Sequence, residues 1–292
     1  MRRFVAFVVG CGALVVLLPG CTIPAPFRVM SFNIRTAEAD DGPNGWDLRR
    51  DLVIETVQAQ QPDILGLQEV VARQGAELRA ALPDYGYVGV GRDDGAGRGE
   101  SVPILYRRAR LTIVDSGQFW LSAHPEEAGS MGWDAACPRV ATWVCLRFNV
   151  APLTEVQVIN VHFDHRGARA RVESAKLLRR VVESLGGRPV VLVGDFNCAA
   201  GSLPYQILTG NSGNLSELAD TQPRAAADFA AGTFHGFTGR PEPGRIDGIL
   251  ANRFFEPVES GLDRRRRDGR YPSDHFPVTA TLKMVPGGSY SC

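Results

Sequence analysis

The chain has almost no lysine and no net charge. Only Lys176 and Lys283 occur among 32 basic residues, and 32 acidic residues balance them. The arginine bias, with abundant alanine and glycine, reads as genomic base composition. The charge balance says more, because a chain without a global field has nothing to draw it as a whole onto nucleic acid. No proline- or serine-rich spacer and no low-complexity tract divides the 292 residues, which favours one domain over two. Repetition at a short period is also missing, which excludes a solenoid or propeller. The six cysteines contain no CxxC pair, which disfavours structural zinc.

No apolar run reaches the roughly 20 residues that a bilayer requires. The nearest is at the start, where Arg2 and Arg3 precede an uncharged stretch from Phe4 to Leu18, followed by Pro19, Gly20 and Cys21. A charged start, an apolar middle and a small residue before the cut are the pattern of a secretory signal. Leu18-Pro-Gly-Cys21 resembles a bacterial lipobox, so residues 1–20 are expected to be a leader and Cys21 the lipidated first residue of a domain over 21–292. Acyl chains on Cys21 would hold the protein on the outer face of the cell membrane, at ~0.8 kcal/mol per buried CH₂. Plain secretion is the alternative. The mature chain keeps Cys137, Cys145, Cys198 and Cys292 in a compartment that permits disulfides, and three pairings remain open. A bridge from Cys137 to Cys145 is disfavoured, because an extended run would part their Cα atoms by ~20 Å.

Val190-Val-Leu-Val-Gly-Asp-Phe-Asn197 is the most informative stretch. Four apolar, mostly β-branched residues read as a buried strand, and the run ends in two polar residues that are costly to bury. Gly-Asp-Phe-Asn taken alone is equally an ordinary turn. The rest of the chain repeats the pattern. Strands are predicted over Phe27–Asn33, Pro62–Glu69, Tyr85–Val90, Ser101–Tyr106, Leu111–Trp120, Arg139–Val150, Val156–His162, Arg245–Leu250 and Phe276–Met284. Helical spacing predicts helices over Leu48–Gln60, Val70–Leu82 and Gly167–Leu185, with a short helix after the Asp195 strand. Strand, helix, strand in succession points to α/β layering. Asn33, Glu69, His162, Asp195, Asn197 and Asp247 all close apolar strands, and Asp274 and His275 open the last one.

Ser31-Phe-Asn33, Leu67-Gln-Glu69, Asn160-Val-His162, Gly194-Asp-Phe-Asn197, Arg245-Ile-Asp247 and Ser273-Asp-His275-Phe-Pro277 occur in one order from first strand to last. In this the chain resembles the endonuclease/exonuclease/phosphatase superfamily. The resemblance implies an α/β (α+β) fold of DNase I-like type, a four-layer sandwich of two mixed β-sheets flanked by helices. It also implies hydrolysis of phosphoesters with Mg²⁺, with Mn²⁺ as the substitute; a monomer is expected. Glu69 would be the principal metal ligand, helped by Asn33 and Asp274; hard oxygen donors suit Mg²⁺. His275 and Asp195 would activate water, and Asn197 would hold the water or the phosphate. His162, oriented by Asp247, would bind a phosphoryl oxygen or protonate the leaving oxygen. His275 would pair with Glu100 of Gly99-Glu100-Ser-Val-Pro-Ile, and Arg139 would contact phosphate.

This inventory suits the chemistry, since an anionic ester repels a nucleophile until cations and donors neutralise its oxygens. Asp164, His165 and His235 are expected to be structural or rim residues. The run Arg264 to Arg267 is either a solvated loop, which is favoured, or a receiver for a polyanion. Substrates in view are a small phosphoester, slightly preferred, a lipid head group, or nucleic acid cut by a secreted endonuclease. A binding lipoprotein that lost catalysis is the reading from another class, and the filled polar positions argue against it.

Overall fold

A computed structural model describes residues 24–210, 217–222 and 232–285. The leader, Cys21 and Cys292 lie outside the described residues. No helix among the described residues is long and apolar enough to cross a membrane. Cys137, Cys145 and Cys198 are free thiols.

Among the described residues, twelve strands form two six-stranded sheets. β1 (Phe27–Asn33), β2 (Ile64–Gln68), β3 (Tyr85–Val88), β4 (Ile104–Arg107), β11 (Phe255–Leu262) and β12 (Val278–Met284) form the first, in the order β11-β12-β1-β2-β4-β3. The second contains β5 (Leu111–Trp120), β6 (Val140–Phe148), β7 (Ala151–His162), β8 (Val190–Asp195), β9 (Leu218–Asp220) and β10 (Asp247–Asn252), in the order β5-β6-β7-β8-β10-β9. Each sheet is mixed: β1 runs parallel to β2 and β7 parallel to β8, while the remaining pairs are antiparallel.

The sheets pack face to face, and period-two alternation decides what each strand contributes. Val29, Ile64, Ile104, Val278 and Leu282 of the first sheet meet Val144, Val158, Val191, Val193 and Ile249 of the second. The opposite faces take the helices. Met30, Phe32, Leu65 and Leu67 pack with Trp46, Val53, Val57 and Leu78 of α1 (Trp46–Gln60) and α2 (Ala72–Ala81). Ile159, Val161, Leu192 and Leu250 pack with Ala175, Leu178, Val182, Tyr205 and Leu208 of α3 (Ala168–Ser184) and α4 (Leu203–Leu208). The result is the expected four-layer sandwich.

A polar clasp joins the sheets near one end. Asn160 on β7 donates to the carbonyls of Leu67 (2.8 Å) and Pro103 (2.9 Å), and its Oδ1 accepts from Gln68 Nε2 at 2.7 Å. Gly66 makes this approach possible, because a Cβ there would lie 2.4 Å from Val193 Cγ2 and 2.9 Å from Asn160 Cγ.

Several boundaries differ from expectation. β4 starts at Ile104 rather than Ser101, and β12 at Val278 rather than Phe276; a proline precedes each start and has no N–H for a ladder. β7 begins at Ala151 instead of Val156, as the second arm of a hairpin with β6. β9 and β11 were not expected. β11 is an edge strand whose residues Glu256 to Glu259 are exposed, so it carries no buried apolar run to announce it.

Candidate active site

Because β1, β2, β7 and β8 end where β10 and β12 begin, their terminal residues meet at one end of the sandwich. Alternation then turns Asn33, His162, Asp195 and Asp247 toward the space between the sheets. Register does the rest: His162 pairs with Asp195 across β7 and β8, and Asp195 with Asp247 across β8 and β10. Asp274 and His275 arrive from the other sheet, just before β12.

Asp195 is at the centre, 1% exposed. Its Oδ2 accepts from Asn33 Nδ2 at 3.0 Å and faces two imidazoles, His162 Nε2 at 3.5 Å and His275 Nε2 at 3.9 Å. Its Oδ1 accepts from the Asn197 N–H at 2.9 Å. Burial, and then the charge of Asp247, push this carboxyl up to about 7.

The two histidines are held in opposite states. Burial would lower His275, but the charge of Asp247 and a 2.8 Å contact from Nδ1 to Asp247 Oδ2 outweigh it, so His275 is raised well above an ordinary imidazole. His162 is lowered well below that range, by burial first and then by the charges of Arg139 and Arg92. His275 is therefore a cation near neutral pH and His162 a neutral ring. Asp247 Oδ1 is buried and has no hydrogen-bond partner among the described residues.

This overturns the expected pairing. Asp247 partners His275, not His162, because β10 lies beside β8 and directly across from the start of β12. Glu100 partners Arg92 through Arg92 Nη1 and Glu100 Oε2, not His275. Glu100 still belongs to the rim: with Arg92, Ser101, Val102, Arg139 and Val140 it lines a small cavity that also touches His162. Arg139 is 5% exposed and oriented by Asp164 (Nε to Oδ2, 3.4 Å) and by His165 Nδ1 (2.9 Å from Nη2). Asp164 also caps the N–H groups of Ala136, Arg166 and Gly167, in keeping with a structural role. His235 is buried against Phe276, ring centroids 4.0 Å apart. Three residues of the Arg264 to Arg267 run are engaged: Arg264 lies over the Phe276 ring, Arg265 donates to the Glu55 carbonyl, and Arg267 pairs with Glu55.

On the other side of Asp195 lies an acidic pair. Glu69 Oε1 accepts from Asn33 Nδ2 at 2.9 Å and Oε2 from the Thr36 N–H at 3.0 Å. Asp274 is 5% exposed, and its carboxyl is raised by burial and by the charge of Glu69. Two carboxylates that act on each other at the rim form an oxygen donor set suited to a hard divalent cation; Asn33, expected as a helping ligand, instead turns its Nδ2 to Glu69 and Asp195 while its Oδ1 accepts from the Arg35 N–H at 3.0 Å. A second grouping, Asp195, Asp247 and His275, brings ligand atoms within 4.8 Å of one another, but His275 there already supplies the positive charge.

Arg35 and Arg92 were missed. Arg35 stands at φ 57° and Glu69 at φ 62°, both in the left-handed region within two residues of a strand end. Non-glycine residues held there cost about 1–3 kcal/mol and concentrate at functional sites. Arg49, fully buried, keeps this loop in place: it donates to the carbonyls of Asn44 (2.8 Å), Ile34, Arg35 (2.7 Å) and Pro272 (3.1 Å).

A family model described as endonuclease/exonuclease/phosphatase matches residues 30–275. A solved endonuclease/exonuclease/phosphatase family protein from Bacteroides thetaiotaomicron is 34% identical, covers 90% of this chain and 99% of its own, and superposes with a TM-score of 0.83. The mannosyl-6-phosphatase of Bacteroides thetaiotaomicron VPI-5482 is 35% identical over 88% of this chain and 99% of its own, with a TM-score of 0.80. An uncharacterized protein of Acanthamoeba polyphaga mimivirus is 29% identical over 185 residues, 60% of this chain and 68% of that protein.

Proposed function

The chain belongs to the endonuclease/exonuclease/phosphatase family of phosphoester hydrolases, and from that premise we propose that it is a Mg²⁺-dependent phosphatase acting on small phosphomonoesters of the sugar-phosphate kind. The observation that carries this is the buried Asp247–His275 pair set against Asp195 and flanked by the Glu69–Asp274 acids. The likeness to a mannosyl-6-phosphatase over nearly its whole length supports the substrate class, and so does the absence of net charge.

Glu69 and Asp274 would hold the cation, with Glu69 oriented by Asn33 Nδ2; when bound, the ion neutralises phosphoryl oxygens and makes phosphorus more electrophilic. Asp195 accepts a proton from the attacking water: a carboxyl raised to about 7 is matched to that task near neutrality. Asn197, at φ 46°, donates its Nδ2 to the Phe163 carbonyl at 2.9 Å, which fixes its side chain at the rim to orient water or phosphate. His275, charged and aligned by Asp247, donates from Nε2 to a phosphoryl oxygen. Neutral His162 donates beside it, and Arg139 and Arg92 add positive charge on that flank. Residues 1–20 serve as leader and Cys21 as lipid anchor, displaying a monomer outside the cytoplasmic membrane.

The test uses metal-free mature protein with and without added Mg²⁺ on mannose 6-phosphate, bis-p-nitrophenyl phosphate and plasmid DNA. Monoester turnover that requires Mg²⁺ is expected. Cleavage of DNA without monoester turnover would transfer the reading to a nuclease, and hydrolysis indifferent to chelation would end the metal assignment.

A further inference from the structure

Arg35 occupies a backbone conformation, φ 57°, that glycine or asparagine would adopt at lower cost. Fixed contacts hold it there. Its N–H donates to Asn33 Oδ1 at 3.0 Å, and its carbonyl accepts from Arg49 Nη2 at 2.7 Å and Gln74 Nε2 at 2.9 Å. The guanidinium grips Asp41 with both arms, Nε to Oδ2 and Nη2 to Oδ1, each at 3.0 Å. A residue whose backbone is strained and whose main chain and guanidinium Nε and Nη2 are all held is being kept for its side chain.

That side chain points its charge at the two acids assigned above to the cation. Nε lies 3.7 Å from Asp274 Oδ2, and the charges of both Asp274 and Glu69 act on the guanidinium. Asp41 anchors it with a side chain 15% exposed, so the cation cannot swing away into solvent without leaving that acid unpaired.

We propose that Arg35 is a fixed counter-charge of the divalent-cation site and sets how tightly the site holds its ion. The inference rests on the metal reading of Glu69 and Asp274. A permanent positive charge beside two ligand carboxylates offsets part of their attraction for a second cation, so the ion binds more weakly than the acids alone would bind it. Such a site exchanges its ion and discriminates by donor chemistry instead of by raw negative charge.

The experiment titrates metal-free protein with Mg²⁺ and with Mn²⁺ in a calorimeter, without substrate, for the wild type, Arg35→Gly, Arg35→Lys and Glu69→Gln. Circular dichroism checks each fold, and Arg35→Asn, also suited to a positive φ, replaces the glycine variant if that one unfolds. Arg35→Gly is expected to bind at least about tenfold more tightly, ~1.4 kcal/mol, and Arg35→Lys to stay near wild type because it keeps the charge. Unchanged or weaker binding in Arg35→Gly, with binding abolished in Glu69→Gln, overturns the role of Arg35 while leaving the cation site standing. Absence of binding in the wild type removes the metal reading, and this proposal with it. Steady-state assays of the same variants on mannose 6-phosphate complete the test: a raised KM in Arg35→Gly with unchanged cation affinity would make Arg35 a substrate contact, also against the proposal.

Discussion

Replacing Asp247 by asparagine tests the electrostatic core of the site directly. The carboxylate is 1% and His275 5% exposed, and their 2.8 Å contact is the main reason that a buried imidazole keeps its proton. Removing one partner of a buried ion pair costs roughly 3–5 kcal/mol. His275 can escape most of that by losing its proton, so the cost should appear as a downward shift of its pKa by about two to four units at 1.36 kcal/mol per unit. Asp195 should shift the same way, because the charge of Asp247 is the second cause, after burial, of its elevation. The sign for stability follows. A histidine raised in the folded state stabilises fully below the unfolded value of about 6.5, and that contribution disappears as pH rises through the folded value. Asp247→Asn should therefore lose most stability relative to wild type below pH ~6.5 and least in alkali. NMR titration of the histidine ring protons reads the shift. If His275 in the variant titrates where it does in the wild type, Asp247 is not what holds its charge.

Asp195→Asn should abolish turnover yet leave the metal-free protein a few kcal/mol more stable above pH 7, since a carboxyl raised from 3.8 to about 7 is destabilising once ionised; thermal melts against pH check it, and a less stable variant would refute it. Gly66→Ala should cost about 1–3 kcal/mol, because the new methyl would meet Val193 and Asn160 of the facing sheet; a urea titration with an unchanged midpoint would contradict that. Asn160→Leu should destabilise by a similar ~1–3 kcal/mol, removing one buried hydrogen bond each from the Leu67 carbonyl, the Pro103 carbonyl and Gln68, and the same titration decides it.

The strand exits were legible in the sequence for a physical reason. A carboxylate, carboxamide or imidazole at the end of a buried apolar run is costly, so Asn33, Glu69, His162, Asp195 and Asp247 stand out wherever such runs stop. Pairing was not legible. Which carboxylate serves which imidazole depends on Asp247 lying in register with Asp195 and on the opposite sheet bringing His275 across from it. Arg35 and Arg92 were hidden by composition: in a chain this rich in arginine one more carries no signal, and the left-handed backbone of Arg35 leaves no trace in a residue type chosen for its charge. β11 was hidden because Glu256, Pro257 and Glu259 interrupt any apolar alternation.

The polarity of β1 has one more consequence. The strand enters the body at Phe27 and delivers Asn33 to the catalytic rim six residues later, a travel of ~20 Å along the sandwich at about 3.3 Å per residue. Whatever is joined upstream of Pro24 thus attaches to the floor of the molecule while the mouth opens from its roof. An enzyme moored by that end would face outward, sampling what drifts past in solution and turning its back on the surface to which it is fastened.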